Sequence, residues 1–314
     1  MVASQPLIML QRLHRFFGST RAVDDVSFEV RAGEVLGYIG PNGAGKTTSM
    51  RILATLELPT YGDAFVDGFS VVNDPDRVRE RLGYMPDAFG TYADVNCHEY
   101  LDFFARAYGL QGKARRQAMG RVMEFTKLDR LAEKPIHGLS KGMKQRLCLG
   151  RALIHDPRVL ILDEPAAGLD PRARIELRNM IRELARQGKA ILISSHILTE
   201  LAEMCDRVAI IEQGRLVAVG TVGEIQAGVR PRSEVRLRVL GDARAVEAWL
   251  QAHEAVTAVR VEGQEIRLEH AGSEEAQADL LRELILAPFR VVAFSSHEQS
   301  LEQLFLQVTR GAVQ

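Results

Sequence analysis

Gly40-Pro41-Asn42-Gly43-Ala44-Gly45-Lys46-Thr47 is the stretch that decides how this chain is read. It meets the pattern G-x-x-x-x-G-K-[ST] and stands between a β-like apolar run, Glu34 to Ile39, and a segment that reads as helix from Thr47. A strand that turns through glycines into a helix is the setting in which this pattern holds phosphate. The glycines let backbone N–H groups approach phosphate oxygens, and the helix N-terminus adds a favourable partial charge. Lys46 is placed to reach the β- and γ-phosphates and Thr47 to ligate Mg²⁺. These eight residues are the expected nucleotide site.

Working outward, Leu7 to Leu10 and Val26 to Val30 read as further strands, punctuated by Gly18 and Gly33. From about Asn96 to Glu133 helix-favouring residues dominate with few glycines, which predicts a helical insertion spanning about residues 88–155. Strand and helix then alternate again: Val159 to Asp163, a helix from Pro171 to Gln187, and Ala190 to Ser194. Asp170 is the expected N-cap of that helix, with Pro171 in its first turn and Gly188 just past its end. The repeated order predicts a mostly parallel α/β sheet.

A Gly/Pro/Arg linker, Gly228 to Ser233, marks a boundary and gives two expected domains, 1–227 and 228–314. Beyond it the pattern is strand, helix, two strands, helix, strand: the βαββαβ order of a small α+β ferredoxin-like module, followed by a terminal helix over 300–308. No catalytic constellation stands out in it.

Mg²⁺ prefers oxygen ligands, and the apolar run Val159-Leu160-Ile161-Leu162 delivers two adjacent carboxylates, Asp163 and Glu164, at its C-terminal end. Successive side chains point to different faces, so Asp163 is expected to hold the metal and Glu164 to face an attacking water as general base.

The order of several motifs resembles the ATP-binding cassette (ABC) ATPases of membrane transporters over about residues 5 to 226. They are GPNGAGKTT at 40–48, which adds Thr48 to the loop, LSKGM at 139–143, LILDEP at 160–165, AGLD at 167–170, and His196 after Ile-Ser-Ser. The C-terminal SLEQLFLQVT at 300–309 resembles the tail of subunits that pair with ABC-2 type exporters. The resemblance implies a P-loop NTPase fold and an ATPase using ATP and Mg²⁺, which drives transport through a separately encoded transmembrane permease. It also explains a second glycine-bearing turn far from the first. Ser140 and Gly142 open a helix among Lys141, Lys144 and Arg146, and in the family that turn meets the γ-phosphate held by a partner's loop. Two chains, identical or close paralogues, are then expected to meet head to tail around two ATP.

The family usually has Leu-Ser-Gly-Gly-Gln, so Lys141 and Met143 are departures, while Ser140 and Gly142 remain. By the same resemblance His196 is the histidine that contacts the γ-phosphate and supports Glu164, and Asp170 communicates across the dimer. Ala167 stands where Ser is frequent. Phe17, or the adjacent Phe16, matches the aromatic that stacks on adenine, and Asp87 stands where the family usually has a glutamine that contacts Mg²⁺ or the attacking water. Phe89, Tyr92 and Tyr100 are expected either to face the membrane subunit or to be buried.

Bulk properties narrow the rest. The chain has 314 residues, 46% of them hydrophobic, enough for two cores. Lys plus Arg number 40 against 41 for Asp plus Glu, which gives no electrostatic reason to expect nucleic acid as a partner. That balance, the single LSKGM and the lack of a sustained heptad run argue against a ribosome- or nucleic-acid-remodelling ATPase. LSKGM and His196 argue against a P-loop kinase or GTPase. Cys97, Cys148 and Cys205 show no metal or disulfide spacing, and no apolar run approaches a membrane span, so a reduced, cytoplasmic chain is expected; the resemblance to ABC ATPases implies a place peripheral to the inner face of the cell membrane.

Overall fold

The computed structural model describes residues 5–88, 90, 95–197, 201, 203–228 and 232–298. They form two compact units that divide between Val222 and Gly223, five residues before the boundary expected from the linker. The border falls after the first residue of a short helix, Val222–Gly228, which leads into the linker.

In the first unit two sheets share one core. An antiparallel sheet, in spatial order β2-β1-β4-β5, contains β1 (Ile8–Phe17), β2 (Thr20–Val30), β4 (Tyr61–Val66) and the short β5 (Phe69–Ser70). A second sheet, in order β10-β9-β3-β8-β7-β6, contains β3 (Val35–Ile39), β6 (Leu82–Met85), β7 (Val159–Leu162), β8 (Ala190–Ser195), β9 (Arg207–Glu212) and β10 (Arg215–Gly220). All its neighbouring strands pair in parallel except β9 with β10. Every residue of β3, β7 and β8 is buried, which is why these strands read as unbroken apolar runs rather than alternating ones.

Helices α1 (Lys46–Leu53), α2 (Pro75–Arg81) and α6 (Pro171–Arg186) connect these strands. The insertion is helical: α3 (Cys97–Ala107), α4 (Gly112–Phe125) and α5 (Lys141–Leu153). A capping box at Asn96 and Glu99 starts α3, with the Asn96 side chain accepting from the Glu99 N–H and the Glu99 side chain accepting from the Asn96 N–H. Helix α5 lies under β6 so closely that a Cβ at Gly83 would run into the Ala152 carbonyl.

The second unit has its own core, in which Val235, Leu237, Ile266 and Leu268 of the sheet meet Val246, Leu250, Leu280 and Leu284 of two helices. Its strands β11 (Arg232–Leu240), β12 (Val256–Glu262), β13 (Glu265–Ala271) and β14 (Arg290–Glu298) alternate with helices Ala243–Gln251 and Glu274–Leu286. The spatial order β12-β13-β11-β14, antiparallel throughout, is the ferredoxin-like arrangement. The helix expected over 300–308 lies outside the described residues.

A histidine joins the insertion to the sheet. His155, just past α5, stacks on Tyr108 with ring centroids 3.7 Å apart, and its Nε2 is 3.1 Å from the Leu82 carbonyl. A carbonyl only accepts, so Nε2 carries the hydrogen, and Nδ1 is buried with no partner. Burial pushes the imidazole down to about 4, against the pull of the Leu82 carbonyl. Unfolded, the group titrates near its ordinary ~6.5, so between these values the unfolded chain binds more protons. The stabilisation from neutral His155 is therefore present above ~6.5 and lost as pH falls toward 4. Urea unfolding at pH 8 and pH 5 should show a smaller acid loss in His155→Gln than in the wild type, by about 1–2 kcal/mol. Equal losses would place the acid sensitivity elsewhere.

Candidate functional site

Four adjacent parallel strands, β3, β8, β7 and β6, release their chains at one edge of the sheet. The first leads into the Gly40–Thr47 loop, the second into His196, the third into Asp163 and Glu164, and the fourth toward Asp87. Ile39 lies opposite Ser195, and Leu162 lies opposite both Ile193 and Met85, so segments far apart in sequence emerge side by side. This carboxyl edge is where open α/β sheets bind ligands.

Local chemistry shapes the loop. Gly43 and Gly45 adopt φ of 81° and 104°, in the left-handed region. A Cβ on Gly45 would strike the Ala22 carbonyl, and one on Gly40 the Ile211 carbonyl, so the tight path excludes side chains at both ends. Pro41, Asn42, Gly43 and Thr47 are exposed, Ala44 is buried and Thr48 half-buried. Lys46 is only 5% exposed. Its Nζ donates to the carbonyls of Gly40 at 2.6 Å and Pro41 at 3.1 Å and lies 3.7 Å from Glu164 Oε1. Burial lowers its pKa, while Glu164 and Asp163 oppose that shift.

The two carboxylates play different parts. Asp163 is buried; its Oδ1 accepts from the Ser194 hydroxyl at 2.6 Å, while Oδ2 is buried without a hydrogen-bond partner. Burial raises its pKa, the hydroxyls of Ser194 and Thr47 pull the other way, and the neighbouring charges of Glu164 and Asp87 raise it further. A buried carboxylate oxygen without a donor, beside two more carboxylates, fits a divalent cation that takes oxygen ligands. Among the described residues no group of three His, Cys, Asp or Glu side chains could hold a metal by itself. Mg²⁺ keeps several waters and takes substrate phosphates, and Asp163, Thr47 and Asp87 are the side chains here that could donate to it.

Glu164 has a backbone φ of 48°, unusual for a non-glycine residue. Its N–H donates to the Ser194 hydroxyl oxygen at 2.8 Å. Its Oε2 lies 2.9 Å from His196 Nδ1; because the carboxylate accepts, Nδ1 carries the hydrogen and Nε2 is left for another partner. Ser194, which donates to Asp163 and accepts from Glu164, was missed by the reading of the sequence. The signal available was its place in the Ser-Ser pair immediately before His196.

The second turn sits in a different place. Ser140 caps α5, its Oγ accepting from Met143 N at 3.3 Å, and Asp170 caps α6, its Oδ1 accepting from Ala173 N at 2.9 Å. Gly142 lets the helices approach, since a Cβ there would come within 2.9 Å of the Ala173 Cβ. Ser140, Gly142 and Asp170 line one pocket of about 270 Å³ together with Arg146, Arg172 and Glu176. No residue of the Gly40–Thr47 loop lines it.

At the tip of the β1–β2 hairpin, Phe16 packs against Tyr61 and His14, with ring centroids 6.2 and 5.8 Å away. Phe17 is 47% exposed. Of the two, Phe17 is the more exposed. Tyr100 is only 2% exposed and its ring packs on Phe104, so it does not face a partner; Phe89 and Tyr92 lie outside the described residues. An apolar groove of about 420 Å³ does open nearby, between the sheet unit and the insertion. Leu56, Tyr84, Phe104 and Tyr108 line it along with Arg79 and Arg151. Arg151 is held over the Phe104 ring at 5.3 Å and donates to the Tyr84 carbonyl at 3.3 Å.

Residues 23–167 match the family model described as ABC transporter, and residues 220–309 match that of the ATP-binding protein DrrA1-3-like, C-terminal domain. The Nod factor export ATP-binding protein I of Ralstonia nicotianae is 37% identical over 71% of this chain and 70% of its own. The linearmycin resistance ATP-binding protein LnrL of Bacillus subtilis is 29% identical over 96% of this chain and 98% of its own. A solved ATP-binding subunit of an ABC transporter superposes with a TM-score of 0.65 at 31% identity, covering 71% of this chain and 92% of that one. With its phosphate loop, its paired carboxylates and a DrrA-like second unit, the chain belongs to the family of ABC transporter ATP-binding proteins.

Proposed function

We propose that this chain hydrolyses ATP as the engine of an exporter, in which two copies or close paralogues close head to tail around two ATP and drive a separate membrane subunit. The observation that carries the reading is the division of the chain's anion-binding features into two places. The phosphate loop, Asp163, Glu164 and His196 meet at the sheet edge, whereas Ser140, Gly142 and Asp170 line a pocket that the loop does not enter. Each place is half a site, and a second copy completes it.

In this reading the loop N–H groups and Lys46 hold the phosphates, and Phe17 stacks on the adenine. Mg²⁺, held by Asp163, Thr47 and Asp87, supplies neutralisation of phosphate charge when bound. Glu164 takes a proton from the water that attacks the γ-phosphorus, and the bond to the ADP oxygen breaks as the new P–O bond forms. His196 orients Glu164 through its Nδ1–H and presents its other nitrogen toward the γ-phosphate. From the partner copy, Ser140 and the start of α5 add donors to the same phosphate. The groove bearing Arg79 and Arg151 suits an amphipathic segment of the membrane subunit. Among the described residues no helix is long and apolar enough to cross a membrane, and in this reading the path for cargo belongs to the separate membrane subunit. The names of the relatives support export, since one exports Nod factor and the other confers linearmycin resistance.

Three experiments test the reading. Glu164→Gln removes the base and keeps the phosphate contacts. It should lower turnover by about 10²-fold or more while an ATP-dependent dimer accumulates in size-exclusion chromatography; normal turnover would remove Glu164 from the mechanism.

Mixing Lys46→Ala with Ser140→Arg subunits yields heterodimers with one site free of both changes, and part of the lost activity should return. No recovery on mixing, with heterodimers formed, would instead place Ser140 in cis.

Asp87 is shorter than the usual glutamine and anionic, so it ligates Mg²⁺ more strongly but repels phosphate when the metal is absent. ATP binding by the wild type should depend more steeply on Mg²⁺ than in Asp87→Gln. Superimposable curves, with Asp87→Ala as a third, would make Asp87 a turn residue only.

A further inference from the structure

We infer that Arg15 and Glu57 form a clamp that positions the Phe17 ring for the nucleotide base, an inference that rests on the reading of Phe17 as the base platform. Arg15 and Phe17 are two residues apart on β1 and share a face, while Phe16 between them turns the other way to pack on Tyr61. The Arg15 guanidinium lies over the Phe17 ring, 4.3 Å from its centroid. Its Nη2 is 2.8 Å from Glu57 Oε1, and both side chains are about three-quarters buried, at 24% and 25% exposure. The Arg15 Nε is buried and makes no hydrogen bond, so the ring and Glu57 set the plane of the guanidinium.

Glu57 is fixed in turn. Its segment joins α1 to β4 and is bonded to α1 and to β1: Leu56 N–H donates to the Arg51 carbonyl at 2.8 Å, and Thr60 N–H to the His14 carbonyl at 2.7 Å. The Thr60 hydroxyl oxygen accepts from Phe16 N–H at 3.0 Å. The hairpin that carries Phe17 also adjoins the phosphate loop: the Ala22 carbonyl sits against Gly45, and Asp24 N–H donates to the carbonyl of Gly214, whose own N–H donates to the Ala44 carbonyl in the loop.

One face of the Phe17 ring is thus covered by a cation, and the base is left the other. An exposed ring free to rotate must be ordered when a base stacks on it, and a guanidinium held behind it removes most of that cost in advance. Arg15 touches neither the base nor the phosphates. Its role is positioning, and it acts on binding of the base alone.

The test measures ATPase kinetics and equilibrium binding of ATP and of inorganic tripolyphosphate in Arg15→Ala, Arg15→Lys, Glu57→Ala and Phe17→Ala. Arg15→Ala and Glu57→Ala should each raise the KM for ATP about three- to tenfold with kcat retained, and leave tripolyphosphate affinity unchanged. Arg15→Lys, which keeps the cation but loses the planar fork, should fall between. An unchanged KM in Arg15→Ala beside a raised KM in Phe17→Ala overturns the clamp and leaves the platform standing. Equal losses for ATP and tripolyphosphate also overturn it, since they report damage to the phosphate loop. An unchanged KM in Phe17→Ala removes the platform and the clamp together.

Discussion

The parallel register of β3, β8, β7 and β6 is the constraint on which the site depends. Each strand is held to its neighbour by main-chain bonds at fixed pairings, such as Ile39 with Ser195 and Leu162 with Ile193. A slip of one residue would turn every side chain on a strand to the opposite face and move Asp163 away from Lys46. Burial on both faces forbids that slip, because each fully buried Leu, Ile or Val contributes about 1.5–3 kcal/mol and none could be exposed without loss. Apolar packing therefore sets the positions of the charges at the sheet edge.

That edge carries a local tension which the rest of the unit offsets. Asp163 has a buried oxygen without a donor, Glu164 has a left-handed backbone, and Lys46 is nearly buried beside both. Features of this kind cost of order 1–3 kcal/mol each and gather where a ligand completes the network. Ser194 moderates the tension by serving both neighbours through one hydroxyl, donating to Asp163 and accepting from Glu164 N–H. Under the proposed function, Mg²⁺ and the nucleotide phosphates bring the missing charge balance, so the folded chain is built to gain most when ATP binds.

The second turn and its neighbour follow a different logic. Ser140 and Asp170 close helix ends with their own side chains, so these residues satisfy the backbone locally as well as lining the pocket. A cap fixes the direction of a helix N-terminus, and a fixed N-terminus is what an anion needs. Structure and proposed function thus call on the same atoms, which allows Lys141 and Met143 to depart from the usual family residues without disturbing the turn.

What the sequence by itself determined was the set of local chemistries. The glycines of the phosphate loop, Asp170 with Pro171 at a helix start, the unbroken apolar runs of buried parallel strands and the βαββαβ order of the second unit each depend on residues close together in the chain, and local patterns record local requirements. The tertiary structure decided the rest. Ser194 became a bridge only because β8 lies beside β7, and Tyr100 went into the core because α3 packs on α4 and α5. Phe16 is packed against Tyr61, more than forty residues on, whereas Phe17 is backed on one face by Arg15 and keeps the other open. These outcomes turn on which distant segments become neighbours. That depends on packing and register summed over the whole unit, and no single stretch of sequence carries it.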